Sequence, residues 1–123
     1  MSKQILIAED SSVIQNIAKK ILIQQRFEIQ TVKNGEQVIE KIKSQHFDLI
    51  FMDINMPVMD GMECTRQIRL MEDSTKSSIP IIAITGNAKN YSHNDFMEAG
   101  MSYVLQKPLD FDKLVKVALE YTS

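Results

Sequence analysis

One cysteine, three prolines, four glycines and no tryptophan are all that 123 residues hold of the types that most often mark special architecture. Cys64 alone cannot form an intramolecular disulfide or a cysteine metal cluster. As a catalytic thiol it would need a base, and the sequence places neither His46 nor His93 beside it. No apolar run approaches the length that spans a bilayer. The Met1-Ser2-Lys3-Gln4 opening leads directly into a short strand-like segment and not into a signal peptide. The expected location is therefore cytoplasmic, with no membrane partner. Charge of one sign is missing too: a net −2 offers no basic face for nucleic acid. Internal repeats and low-complexity stretches are absent.

What is there suits an ordinary globular protein, 44% hydrophobic and 24% charged. The length fits one domain, residues 1–123, with a core that needs no staples. The eight methionines suit flexible core or interface positions. Ile5-Leu6-Ile7-Ala8 stops at Glu9-Asp10, as a strand buried on both faces would. Ser11 or Ser12 then caps a helix. Its apolar positions Val13, Ile14, Ile17, Ala18, Ile21 and Leu22 follow three-and-four spacing, with Lys19 and Lys20 facing away. Residues 27–32 alternate like a strand, Lys33-Asn34-Gly35 turns, and Val38, Ile39 and Ile42 mark a second helix.

Residues 47–53 form a third strand ending in Asp53. A loop with Pro57 and Gly61 leads to a helix over 62–71, and 72–78 is polar and loop-like. Pro80-Ile81-Ile82-Ala83-Ile84-Thr85 is the fourth strand, and 92–99 a short helix ended by Gly100. Residues 103–106 are the fifth strand. After Lys107-Pro108 comes a last helix with Phe111, Leu114, Val115, Ala118 and Leu119 inward. Five strands alternating with five helices predict an α/β doubly wound parallel sheet, for which 2-1-3-4-5 is a common order, the flavodoxin-like one.

Such sheets bind ligands beyond the carboxyl ends of their strands. Here those ends are Glu9-Asp10, Asp53, Thr85 and Lys107. Each has a plain reading alone: Asp10 as a cap, Asp53 as a loop opener, Thr85 as a strand residue, Lys107 as a solvated charge. Together they are another matter. Two carboxylates about 4 Å apart repel by roughly 4 kcal/mol at an effective dielectric of about 20. Three crowded anions call for a cation. All-oxygen ligands point to Mg²⁺, with Mn²⁺ as the alternative, over Zn²⁺. An ionised aspartate can take a phosphoryl group as an acyl phosphate. Mg²⁺ and the Lys107 ammonium would balance the transition-state charge. The Thr85 hydroxyl could donate to a phosphoryl oxygen, and Gly86 would leave room for its approach.

The stretches Ile5-Leu6-Ile7-Ala8-Glu9-Asp10, Met52-Asp53-Ile54-Asn55-Met56-Pro57-Val58-Met59-Asp60-Gly61, Ile82-Ala83-Ile84-Thr85-Gly86, and Ala99-Gly100 followed by Lys107-Pro108 come in a specific order and spacing. In that order they resemble the receiver domain of two-component response regulators over essentially the whole chain. The resemblance implies a phosphoacceptor signalling switch, with Asp53 accepting the phosphoryl group from a phosphohistidine. The donor would be a histidine kinase or a histidine phosphotransfer protein. Asp10 would ligate Mg²⁺ directly, Glu9 through water and Asn55 through its backbone carbonyl. Lys107 would pair with the phosphoryl group, its bond to Pro108 would be cis, and Thr85 would be the switch hydroxyl. The Asp53–Gly61 wording is similar to receivers of hybrid histidine kinases and phosphorelays, so a segment of such a kinase stands beside a stand-alone regulator.

One position departs from the family. Many receivers carry Tyr or Phe four residues after the glycine matching Gly100; here Val104 stands there and Tyr103 precedes it. On a strand, that offset sends the ring to the opposite face. Other classes fit less well. Aspartate-based phosphatases generally want a second acid two residues after the nucleophile, where this chain has Asn55. A flavin or nucleotide module would want a phosphate loop after the first strand, where Glu9-Asp10 would repel phosphate without a metal.

Overall fold

The computed structural model describes residues 2–86 and 91–123. Five strands, β1 (Gln4–Ala8), β2 (Glu28–Val32), β3 (Leu49–Asp53), β4 (Ile81–Thr85) and β5 (Tyr103–Gln106), make one sheet in the order β2-β1-β3-β4-β5. Every neighbouring pair is parallel. The apolar runs become central strands because both of their faces are covered. Leu6, Ala8, Ile50, Met52, Ile81 and Ala83 turn to one face and Ile5, Ile7, Leu49, Phe51, Ile82 and Ile84 to the other. Each fully buried Ile or Leu contributes roughly 1.5–3 kcal/mol.

Helices α2 (Gly35–Ser44), α3 (Gly61–Arg69) and α5 (His93–Ala99) cover the first face. Helices α1 (Ser12–Gln24) and α6 (Phe111–Thr122) cover the second. The sixth helix, α4 (Ser74–Ser77), corrects the expectation of five. It is a single turn capped by the Asp73 carboxylate, and its four polar residues carry no periodicity by which a helix announces itself. Asparagine, aspartate and serine side chains cap the other helices, Ser11 being the choice at α1.

Three further boundaries and faces differ from expectation. On α1 the buried residues are Gln15, Ala18 and Leu22, while Val13 and Ile17 are exposed. Six apolar residues there span two adjacent stripes, and a helix can seat only one of them on the sheet. Helix α3 stops at Arg69, leaving Leu70 in solvent, and on α6 Leu119 points outward where Val117 is buried. Among the described residues no helix is long and apolar enough to cross a membrane.

Two local devices hold the loops around this frame. Arg69 donates to three carbonyls, Gly100 O at 2.8 Å, Ser77 O at 2.8 Å and Ile79 O at 2.7 Å, and so ties the end of α3 to α4, to the entry of β4 and to the end of α5. A Cβ at Gly100, whose φ is 107°, would lie 2.6 Å from the Arg69 side chain, so the left-handed C-cap and the clamp require each other. In the β3–α3 loop, Val58 has φ 70° and Met59 N donates to Pro57 O at 2.7 Å. That is the pattern of a γ-turn, a strained choice for a β-branched residue.

Candidate functional site

Parallel pairing brings the strand ends to one edge. Ala8 is in register with Met52, Asp53 with Ile84, and Thr85 with Gln106. The next residues after β1 and β5 are Glu9 and Lys107, so the residues expected to converge do so. Carboxylate oxygens of Glu9, Asp10 and Asp53 all lie within 4.8 Å of one another. Lys107 Nζ is 3.2 Å from Glu9 Oε1 and 3.4 Å from Asp53 Oδ2. Glu9 and Asp53 are buried at 0% and 1% exposure, while Asp10 stands in solvent at the mouth.

The backbone also serves the acids. Asn55 N donates to Asp53 Oδ1 at 3.3 Å, and Ser11 N to Glu9 Oε2 at 3.2 Å. Gly61 packs directly against the backbone at the end of β3: a Cβ there would fall 2.4 Å from the Asp53 carbonyl oxygen. Only a glycine lets α3 begin so close to the end of β3. Gly86 is less demanding. A Cβ there would meet the Lys107 side chain at 3.5 Å, an ordinary contact, so a small side chain would also fit. The Lys107–Pro108 peptide bond is cis.

Three acids against one ammonium leave the cluster short of positive charge. Burial, reinforced by Asp53 close by, raises the Glu9 carboxyl above 4.5, although the Ser11 amide and Lys107 pull the other way. Burial works against the Lys107 charge, but Asp53 and Glu9 outweigh it and raise that group above 10.5. Glu9 Oε1 is buried without a hydrogen-bond partner; Lys107 meets it only as a charge contact. An orphaned carboxylate oxygen facing two further acids fits a hard divalent cation. Cys64 plays no part: burial pushes its thiol up to about 12, and it donates to Gly35 O.

Thr85 is buried and follows Ile84, the register partner of Asp53. It lines a groove of about 510 Å³ with Tyr91, Phe96, Tyr103, Val104 and Lys113. The adjacent residues Tyr103 and Val104 turn to opposite faces, as the strand offset predicts. Val104 packs against the α2–α3–α5 side. The Tyr103 ring lies 6.3 Å from that of Tyr121 on α6, with Lys113 Nζ 6.0 Å from its centroid.

Among the buried polar residues that the sequence does not mark, Gln15 touches the site. Gln15 sits inside the first turns of α1, and its Nε2 donates to Glu9 O at 3.1 Å and Val32 O at 3.0 Å. A polar residue three positions before Ala18, on the stripe that meets the sheet, was the available signal.

The family model for the response regulator receiver domain matches residues 5–119. Hybrid signal transduction histidine kinase M of Dictyostelium discoideum is 40% identical over 116 residues, 92% of this chain. The chain spans 5% of that relative's length, and 10% and 7% of the next two, hybrid kinases K and I of the same organism. Among solved structures, the receiver domain of sensor histidine kinase PA1611 from Pseudomonas aeruginosa, with magnesium coordinated in its active-site cleft, superposes with a TM-score of 0.88 at 31% identity, covering 99% of this chain and 98% of that one. The receiver domain of Saccharomyces cerevisiae Ssk1, crystallised with the histidine phosphotransfer protein Ypd1, superposes at 0.89 and 26% identity, covering 98% and 89%.

Proposed function

The chain belongs to the response regulator receiver domain family, and on that premise we propose that it is a signalling switch whose Asp53 accepts a phosphoryl group from a phosphohistidine. The observation that carries this reading is the buried Asp53 carboxylate held between Lys107 Nζ at 3.4 Å and the Asn55 amide at 3.3 Å, with Glu9 and Asp10 beside it. A magnesium ion would be held by the Asp10 and Asp53 carboxylates and the Asn55 backbone carbonyl, with Glu9 acting through water. When bound, it supplies positive charge to the oxygens of the transferring group.

The chain's own residues do the rest. An Asp53 oxygen attacks phosphorus, the O–P bond forms, and the N–P bond of the donor breaks with its electron pair returning to the imidazole. The Asn55 amide holds the other carboxylate oxygen and so orients the nucleophile. Lys107, fixed in its charged form by two acids, stabilises the charge spread over the phosphoryl oxygens. The Thr85 hydroxyl donates to one of those oxygens afterwards, which couples the phosphorylated state to the groove it lines. In this sense the domain catalyses its own modification and its slow reversal without turning over another substrate.

The donor is a histidine kinase or a histidine phosphotransfer protein, as Ypd1 is for Ssk1, and a downstream protein reads the result. Val13 and Ile17 on the outward stripe of α1 and Val58 in the β3–α3 loop offer apolar surface to a docking donor. Likeness to hybrid kinases supports a receiver segment in a cytoplasmic phosphorelay, with a stand-alone regulator as the other form. The test is intact mass after incubation with acetyl phosphate. The wild type gains one phosphoryl group only when Mg²⁺ is present, and Asp53→Asn gains none. Label on another residue, or uptake by the variant, would overturn the assignment.

A further inference from the structure

Six polar or charged residues are buried among those described: Glu9, Gln15, Asp53, Thr65, Thr85 and Thr122. Three belong to the acid site and its rim. Thr65 and Thr122 return their hydroxyls to carbonyls four residues back in their own helices. Gln15 alone reaches out of its helix, and both of its bonds end where β1 gives way to the acids.

The β1–β2 ladder closes at the pair Ala8 and Val32. One residue on, Glu9 N still donates to Val32 O at 3.1 Å. Beyond that the strands part, and the buried Glu9 carbonyl has no strand donor to meet it. The Gln15 amide fills the gap, donating both to that carbonyl and to Val32 O. The Glu9 carbonyl is part of the planar peptide unit that links Glu9 to Asp10. Fixing that plane fixes the directions in which two adjacent carboxylates leave the chain.

We infer that Gln15 is a positioning residue for the divalent cation: it touches neither metal nor substrate, and acts by holding the Glu9–Asp10 peptide so that both acids face Asp53. The inference rests on the Mg²⁺ reading of the site given above. Partners that orient metal ligands without binding metal typically govern affinity by about tenfold or more. A residue acting through the backbone belongs at the lower end of that range.

The experiment is a Mg²⁺ titration followed by the amide resonances of Asp10, Asp53 and Asn55, on the wild type, Gln15→Met and Arg69→Leu. Methionine keeps the length of glutamine and removes both donors. Arg69→Leu loosens the opposite side of the fold and serves as a control for lost stability alone. The dissociation constant for Mg²⁺ rises about tenfold in Gln15→Met and stays at the wild-type value in Arg69→Leu. Phosphorylation by acetyl phosphate follows the same split: Gln15→Met needs more Mg²⁺ for half-maximal rate, with the rate at saturation nearly unchanged. Should Gln15→Met fail to fold, Gln15→Asn, too short to reach both carbonyls, is read in the same way. Wild-type affinity in the Gln15 variant, or an equal loss in Arg69→Leu, overturns the inference alone. A wild type that binds no Mg²⁺ overturns the reading of the site and the inference with it.

Discussion

At the residue scale, the site trades stability for chemistry, and two side chains make the trade measurable. The Glu9 carboxyl is raised above 4.5 because it is buried beside Asp53. The native state therefore binds the Glu9 proton more tightly than the unfolded chain does. Its contribution is fully present below pH 4.5 and is lost as pH rises through the folded value. Glu9→Gln should accordingly melt above the wild type at neutral pH without Mg²⁺, with the gap closing below pH 4.5. Added Mg²⁺ should stabilise the variant less than the wild type; melting curves at several pH values check both, and an unchanged gap across that range would contradict the assignment. Val58 is the second case. A non-glycine residue with φ 70° costs of order 1–3 kcal/mol, from which the flexibility of glycine takes back roughly 0.5–1. Val58→Gly should raise stability by about 1 kcal/mol. Equal or lower stability in urea unfolding would show that the turn is not strained.

At the scale of elements, the joints decide more than the helices do. Arg69 satisfies carbonyls from three separate segments, and leucine in its place would leave partly buried acceptors bare at about 1–3 kcal/mol. Arg69→Leu should lower stability by about that much and speed hydrogen exchange in α4 and α5 while sparing α1. Uniform exchange across the helices would count against a local clamp. Elements were also where the sequence was hardest to read. The three central strands are legible because a buried parallel strand is a continuous apolar run that ends at a polar residue, whereas β2 at the sheet's edge shows itself by alternation. Helix α4 is not legible, since a single polar turn held by an Asp73 cap looks the same as a loop. Val13 and Ile17 lie outward, which periodicity does not reveal, because it gives the stripe width without saying which half meets the sheet. Gln15 is hidden in the sequence for the related reason that a polar side chain inside a helix reads as solvent-facing until its partners are seen.

At the scale of the whole molecule, the 2-1-3-4-5 order and the convergence of Glu9, Asp10, Asp53 and Lys107 were legible together, because one rule links them: parallel strands all end on the same side. The cation should then act as a ligand of the folded state only. At a Mg²⁺ concentration about 100 times the dissociation constant, the native state gains roughly 2.7 kcal/mol. The melting temperature should rise by several degrees for a domain of this size. Asp53→Asn should lose most of that shift, and an equal rise in the variant would place the ion elsewhere. The same convergence has a consequence for how the chain is made. Lys107 lies 54 positions beyond Asp53, so all three acids leave the ribosome seconds before the ammonium that sits between two of them. Until the last strand docks, the emerging sheet carries an edge of mutually repelling carboxylates. Any sheet assembled before that strand docked would hold those carboxylates without their ammonium, a like-charge cost that weighs against completing it one strand at a time.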